Sequence, residues 1–136
     1  SSDWSSDVCS SDLAKGRAVP LAVSGAFHSP LIKEAADEFA KAVGKVDWRA
    51  PAFPVFHNVS AGPEATAEAT RARVAEQMTA SVRWVQTIAG MHAAGAGDFV
   101  EIGPKPVLAR MVPAILGDAE HETRGVHDMA AAEAFD

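Results

Sequence analysis

The stretch that decides the fold is Gly25-Ala26-Phe27-His28-Ser29-Pro30, where an apolar run typical of a strand gives way to a helical pattern. Ser29 is suited to cap a helix that begins at Leu31, and Pro30 suits the first helical position, where a missing N–H costs nothing. A side chain at such a corner points out of the sheet, so we expect a substrate to reach His28. A capped helix start that merely contains a histidine would show the same local pattern. The flanking residues distinguish such a structural histidine from a functional one.

The composition indicates which classes of protein the chain can belong to. The 136 residues are 48% hydrophobic and 22% charged, which is typical of one globular domain or a piece of one. No apolar run approaches the roughly 20 residues of a membrane span, and no signal peptide is visible, so we expect a cytoplasmic protein without membrane contact. The net charge of −6 argues against nucleic-acid binding. The single cysteine, Cys9, excludes an internal disulfide and a cysteine-based zinc site.

The first thirteen residues differ from the rest of the chain. They repeat Ser-Ser-Asp three times, contain three acids and no base, and show neither helical nor strand periodicity. We interpret residues 1–13 as a non-native or disordered leader that is dispensable, and we exclude them from the fold argument.

Strand and helix patterns alternate along the remaining chain. Strands are predicted at 15–23, 55–59 and 98–102, and the tail at 122–136 is predicted to hold a short strand and an alanine-rich helix. Helices are predicted from Leu31 to a stop at Gly44, at 66–79, from a Ser81 cap to Gly95, and from Gly103-Pro104 to about residue 116. This alternation predicts an α/β fold with a mostly parallel sheet.

Three features of these helices are specific enough to be tested. The first helix is expected to bury Leu31, Phe39 and Val43 on one side. The third is expected to present a stripe that includes Val82, Val85, Ile88, Ala89 and His92. The fourth is expected to be kinked or interrupted at Pro113, because the proline ring clashes with the preceding turn.

Three candidate residues follow predicted strands. His28, Asn58 and Gly103 all fall at strand ends, and ligand sites in parallel sheets lie beyond the carboxyl ends of strands. We therefore expect one rim to carry the site, with Asn58 as a possible pocket residue.

Several common motifs are absent from the sequence. His121 and His127 are six residues apart, whereas a zinc-protease helix needs histidines four apart, and we expect no metal. Gly103-Pro104-Lys105 lacks the rest of a phosphate loop. No serine lies in Gly-x-Ser-x-Gly, so no nucleophile elbow is visible in these 136 residues.

Four segments of the sequence resemble those of a known family, and the resemblance covers about residues 14–136. In chain order they are Gly25-Ala26-Phe27-His28-Ser29-Pro30-Leu31, Pro54-Val55-Phe56-His57-Asn58-Val59, Gln77 with Val82-Arg83-Trp84, and Val100-Glu101-Ile102-Gly103-Pro104. Together they resemble the malonyl-CoA:acyl carrier protein transacylase family and the acyltransferase domains of polyketide synthases.

The resemblance implies a fold and a set of roles. It implies an α/β-hydrolase-like core, to which residues 24–136 would contribute the C-terminal part, and a small ferredoxin-like subdomain, to which residues 14–23 would contribute the last strand. It matches His28 to the catalytic histidine and Gln77 to the glutamine whose backbone carbonyl orients that histidine. It matches Phe27 to a position that sets acyl specificity, in a version closer to malonyl than to methylmalonyl.

The resemblance also implies a reaction. A serine accepts malonyl from coenzyme A and passes it to the phosphopantetheine thiol of acyl carrier protein in fatty acid biosynthesis, with no cofactor and in a monomeric full-length enzyme. The family's serine, oxyanion-hole glutamine and malonyl-binding arginine lie upstream of the histidine, and nothing before residue 14 matches them. The chain is therefore expected to be inactive alone. A non-catalytic piece that binds carrier protein and a polyketide synthase domain stay open as alternatives, whereas a generic α/β hydrolase is disfavoured because no acidic triad member is recognisable.

Overall fold

The computed structural model describes residues 25–135, so the leader at 1–13 and the predicted strand at 15–23 lie outside the described range. At the corner, the Ser29 hydroxyl accepts the N–H of Leu31 at 3.3 Å. Pro30–Ile32 forms a single 3-10 turn that leads into helix α1, Lys33–Val43, which ends at Gly44 as predicted. The cap and proline at this corner therefore start a helix as the sequence indicates.

The buried face of α1 differs from the predicted one. Ala36 and Val43 are buried, Phe39 is half-buried, and Leu31 is 85% exposed. Leu31 lies in the 3-10 turn, whose three residues per turn put it out of phase with the α-helix that follows. The prediction that Leu31 is a core residue is wrong for these described residues.

The predicted strand at 55–59 is shorter than expected and is part of a hairpin. Strand β1, Val55–Phe56, pairs antiparallel with strand β2, Pro63–Glu64. The chain turns back after β1, where the N–H of His57 donates to the Gly62 carbonyl at 3.1 Å and the N–H of Ala61 donates to the His57 carbonyl at 2.8 Å. Because these turn contacts begin at His57, the strand cannot continue to residue 59.

Helix α2, Ala67–Glu76, packs against α1. The hydroxyl of Thr66 caps it by accepting the N–H of Ala69 at 3.1 Å, and the helix ends at Glu76, three residues before the predicted end at 79, with Gln77 as its C-cap. The predicted start of this helix is confirmed. Because the helix ends earlier than predicted, Gln77 lies at its C-terminal end.

Helix α3, Trp84–Ala93, begins later than predicted and has no side-chain cap, so the Ser81 cap is wrong. It buries Thr87 and Ile88, whereas Val82 and Val85 are exposed. The hydroxyl of Thr87 donates to the Arg83 carbonyl at 2.8 Å, which satisfies this polar group inside the fold. The predicted buried stripe of α3 was misplaced because it was drawn from apolar residues alone, and the buried face includes this threonine.

Strands β3, Asp98–Ile102, and β4, Glu122–Val126, form a parallel pair in which Asp98 aligns with Glu122 and Ile102 with Val126. A 3-10 turn, Ala109–Met111, and helix α4, Val112–Leu116, connect them, and helix α5, Met129–Glu133, follows β4. The strand and helix predicted for the tail are confirmed.

Pro113 does not kink a long helix. It lies in the first turn of α4, where its missing N–H has no intrahelical partner to lose. Of the two predicted outcomes, a kink and an interruption, the structure shows the interruption: the 3-10 turn Ala109–Met111 separates the preceding segment from α4. Within residues 25–135 the strands form one antiparallel and one parallel pair, and none of the described helices is long and apolar enough to cross a bilayer.

Candidate active site

The backbone of His28 has an unusual conformation. Its φ is 60°, in the left-handed region that residues other than glycine seldom adopt. The main-chain N–H of His28 donates to the Met78 carbonyl at 3.1 Å, which holds the corner in this conformation. Strained backbone of this kind persists where surrounding contacts fix it, and it clusters at functional sites.

The imidazole of His28 is held by the neighbouring carbonyl. Its Nδ1 lies 2.8 Å from the main-chain oxygen of Gln77. Because a carbonyl only accepts, this contact requires the proton on Nδ1 and leaves Nε2 of a neutral ring as a free acceptor of a proton. Gln77 and Met78 therefore hold the ring and the backbone of the same histidine.

The end of α2 explains why these carbonyls are available. Gln77 follows the last helical residue, Glu76, and the final carbonyls of a helix have no intrahelical N–H to accept. The contact with His28 therefore uses a main-chain acceptor at a helix end rather than an acidic side chain.

Arg73 ties the last turn of α2 to the hairpin. Its guanidinium donates to the Glu64 carboxylate at 2.8 Å and to the Glu76 carboxylate at 2.5 Å. These hydrogen bonds, chiefly the one to Glu64, raise the pKa of Arg73. The Arg73 carbonyl accepts the N–H of Gln77 at 3.1 Å, so the ion pairs act one turn from the carbonyl that contacts His28. The i,i+3 spacing to Glu76 is visible in the sequence, but the contact with Glu64 is not.

The residues beside His28 are accessible. Phe27 is 60% exposed, and its ring folds back over Gly25, where an added Cβ would lie 3.3 Å from the ring. The Ser29 hydroxyl donates to the Ala26 carbonyl at 2.7 Å, which closes the corner. His28 and Phe27 are therefore both exposed at the corner.

The structure gives Asn58 a main-chain contact. Asn58 lies in the turn after β1, and its carbonyl accepts the N–H of Arg83 at 2.9 Å. This bond links the hairpin to the start of α3. A place for the Asn58 side chain in a pocket stays a prediction.

The third candidate rim position, Gly103, belongs to a separate network at the ends of β3 and β4. Its N–H donates to the Val126 carbonyl at 3.0 Å, and its carbonyl lies 2.9 Å from Nδ1 of His127. The Glu101 carboxylate accepts the N–H groups of Val107 at 3.1 Å and Ala109 at 2.8 Å. These backbone N–H groups, with Ala109 first, lower the pKa of Glu101. The sequence pointed to Glu101 only through the family resemblance, and no sequence feature predicted the contact between His127 and the Gly103 carbonyl.

Comparison with known proteins identifies relatives that cover most of the chain. No protein-family model matches the chain. Malonyl CoA-acyl carrier protein transacylase of Staphylococcus aureus strain COL is 33% identical over 108 residues, which are 79% of this chain and 35% of that protein. The enzyme of the same name from Synechocystis is 38% identical over 92 residues, which are 68% of this chain and 31% of that protein.

The chain is homologous to the C-terminal portion of these transacylases. Solved structures agree. An acyl carrier protein S-malonyltransferase from Vibrio cholerae matches with a TM-score of 0.79 and 33% identity, over 88% of this chain and 39% of that one. A malonyl-transacylase in complex with its type II polyketide synthase acyl carrier protein matches with a TM-score of 0.78 and 35% identity, over 90% of this chain and 40% of that one.

The chain thus spans about a third of the length of the curated transacylases that it matches, and about two-fifths of the solved ones. The structural matches are consistent with the predicted α/β acyltransferase fold. The relatives are acyltransferases by name, and the resemblance drawn from the sequence is confirmed.

Proposed function

We propose that this chain supplies the general-base half of a malonyl transferase that moves malonyl from coenzyme A to acyl carrier protein. The observation that carries the proposal is the contact between His28 Nδ1 and the Gln77 carbonyl, in a chain homologous to malonyl transacylases. The nucleophilic serine is provided by the region of the transacylase that these 136 residues do not span.

The first half-reaction transfers malonyl to the serine. Nε2 of His28 takes the hydroxyl proton as the serine oxygen bonds to the thioester carbon. The C–S bond then breaks, and the imidazolium returns the proton to the coenzyme A thiolate. In the second half-reaction the phosphopantetheine thiol gives its proton to His28 and attacks the serine ester, and the serine leaves with that proton.

Imidazole suits this work because its pKa of about 6.5 lets it accept and release a proton near neutral pH. The Gln77 carbonyl fixes the tautomer without the full charge of an aspartate. We infer that this weaker activation is sufficient because the acyl-enzyme is meant for a thiol rather than for water.

The proposed partners follow from the relatives. A homologous malonyl-transacylase has been solved in complex with its acyl carrier protein, and we propose that this chain belongs to an enzyme with the same kind of partner. We further propose an α/β-hydrolase-like core and, for residues 14–23, the last strand of a ferredoxin-like subdomain. Because that complex is from type II polyketide synthesis, a polyketide route for the malonyl group is the second candidate.

The test is to restore a full-length enzyme. Residues 14–136 are joined to the N-terminal portion of a homologous transacylase, and malonyl transfer from malonyl-CoA to acyl carrier protein is measured. His28→Ala should lower turnover by roughly 10²–10⁴-fold, the usual contribution of a general base.

The matched control is His121→Ala. Nδ1 of His121 lies 2.7 Å from the carbonyl of Ala119, two residues earlier in the chain, and we expect this variant to keep its activity. Equal activities of the His28→Ala and His121→Ala enzymes would refute the proposed base. A restored enzyme that binds carrier protein but never transfers malonyl would favour the non-catalytic alternative.

A further inference from the structure

Two consecutive carbonyls hold His28, and both belong to the turn that follows α2. The Gln77 oxygen lies 2.8 Å from Nδ1 of His28, and the Met78 oxygen accepts the His28 main-chain N–H at 3.1 Å. The orientation of the imidazole therefore depends on where this turn lies.

Glu76, the last residue of α2, is held through both its main chain and its side chain. Its carbonyl accepts the N–H of Ala80 at 3.2 Å and that of Thr79 at 3.3 Å, which closes the turn. Its carboxylate accepts a hydrogen bond from the Arg73 guanidinium at 2.5 Å. Arg73 thus fixes the residue on which the turn is built.

Arg73 also ties this turn to the β1–β2 hairpin. Its Nε donates to the Glu64 carboxylate on β2 at 2.8 Å, while a different nitrogen serves Glu76. The Glu64 and Arg73 side chains are only 22% and 35% exposed. Partly buried charges are screened less than fully exposed ones, and the rigid guanidinium fork fixes the geometry of both contacts.

The same hairpin holds the other end of the segment. The main-chain N–H of Arg83 donates to the Asn58 carbonyl, in the turn after β1, at 2.9 Å. Residues 77–82, which include both carbonyls that contact His28, therefore lie between two ties to one hairpin.

We propose that Arg73 is a positioning residue for the base: together with Glu64 and Glu76 it forms the Arg73 clamp, which keeps the Gln77 carbonyl within reach of Nδ1 of His28. The inference rests on the proposed function, because it concerns the same histidine. Arg73 acts through the turn rather than on the reacting atoms. Such an effect can be large, because a shift of about 1 Å caused by a distant substitution can cost about 100-fold in rate.

The first experiment locates the proton on His28 by nitrogen-15 NMR of the full 136-residue chain. At about pH 8.5 a histidine of ordinary pKa is neutral, and the ring nitrogen shifts give the ratio of Nδ1–H to Nε2–H forms. We expect the wild type to carry the proton on Nδ1. Arg73→Gln should lower the ratio roughly 2- to 10-fold, the factor that one lost hydrogen bond gives.

Arg71→Gln is the matched control, because it removes the same charge from the same helix. Arg71 is exposed, and none of the ion pairs among the described residues includes it. We expect its tautomer ratio to equal that of the wild type. Equal ratios for Arg73→Gln and Arg71→Gln, or a wild type without a preference for Nδ1–H, would overturn the proposal.

Glu64→Gln guards against an Arg73→Gln chain that fails to fold. Its amide oxygen still accepts a hydrogen bond, but the charge that strengthens the contact with Arg73 is gone. We expect the tautomer ratio to fall in the same direction as in Arg73→Gln, by a smaller factor. A wild-type ratio in Glu64→Gln would overturn the tie between the hairpin and the turn.

The second experiment is malonyl transfer by the restored full-length enzyme. Arg73→Gln should lower kcat roughly tenfold, because a displaced base slows proton transfer. KM for malonyl-CoA should change by less than about twofold, because substrate binding is not altered. If Arg73 only stabilised the fold, its loss would lower Tm and leave both the tautomer ratio and kcat of the folded enzyme unchanged, which would overturn the proposal.

The two readouts separate this inference from the proposed function, because the tautomer ratio does not depend on malonyl transfer. A lowered ratio in Arg73→Gln with an unchanged kcat would support the Arg73 clamp and count against His28 as the base. A lowered kcat with an unchanged ratio would overturn the clamp and leave the role of His28 intact.

Discussion

Nδ1 of His28 lies 2.8 Å from the main-chain oxygen of Gln77, although the two residues are 49 positions apart in the sequence. The contact joins the left-handed backbone at the start of the first described helical turn to the end of a helix. Because the acceptor belongs to the backbone, the Gln77 side chain is free to vary as long as the helix end stays in place.

This geometry makes a specific prediction for the restored enzyme. Gln77→Ala should keep most of the malonyl transfer, because the carbonyl remains and alanine is a good helix former. Gln77→Pro should be damaging, because it removes the N–H that bonds to the Arg73 carbonyl and distorts the helix end. Transfer rates are compared with His28→Ala at matched folding. If Gln77→Ala fails as badly as His28→Ala, the side chain makes the orienting contact and the assignment is wrong.

The isolated chain should not become malonylated. Its 136 residues contain no Gly-x-Ser-x-Gly, so no activated serine is available to attack malonyl-CoA. Intact mass spectrometry after incubation with malonyl-CoA measures this directly. A stoichiometric mass increase of one malonyl group would require a nucleophile within this chain and would contradict the division of roles proposed above.

Phe27 is the expected gate for acyl size. Its exposed ring belongs to the residue that precedes the proposed base, so we expect it to crowd an α-methyl group. In the restored enzyme, Phe27→Ser should raise the use of methylmalonyl relative to malonyl by an amount on the order of 1–3 kcal/mol, as for other one-carbon discriminations. The measurement is the ratio of kcat/KM for the two thioesters. Leu31→Ser, which alters another exposed apolar residue after the corner, is the control, and an unchanged ratio for Phe27→Ser would remove Phe27 from the site.

The sequence was most informative where local chemistry decides the structure. Ser29 and Thr66 cap helices as their residue types indicate, and β3 has the predicted bounds. It was least informative where a distant partner decides, as for the hairpin turn at His57 or the buried Thr87, whose hydroxyl is satisfied by the Arg83 carbonyl. The contact between His28 and Gln77 was expected only from the family resemblance, because no periodicity relates positions 49 residues apart.

The Glu101 carboxylate should make stability depend on pH. Backbone N–H groups, that of Ala109 above all, lower its pKa in the folded state below the ordinary value of 4.5. A lowered folded pKa means that this contribution to stability is complete above the unfolded pKa and is lost as the pH falls through the folded value. Glu101→Gln should therefore lower Tm at pH 7 and flatten its dependence on pH below about 4.5, whereas Glu34→Gln, at an exposed position on α1, should do neither. Parallel Tm curves for the wild type and Glu101→Gln would contradict the capping role.

Gly125 and His127 should be energetically coupled. A Cβ added to Gly125 would overlap Cε1 and Nε2 of the His127 ring, so Gly125→Ala must displace that ring and break its contact with the Gly103 carbonyl. The exposed His127 ring can swing aside, so we expect Gly125→Ala to lower the free energy of unfolding by about 0.5–1.5 kcal/mol, the contribution of one hydrogen bond. In a His127→Ala background the same substitution should cost much less, because the obstructing ring is gone. The double-mutant cycle is measured by urea unfolding of the full chain, and additive effects of the two substitutions would show that the glycine is not required by the histidine.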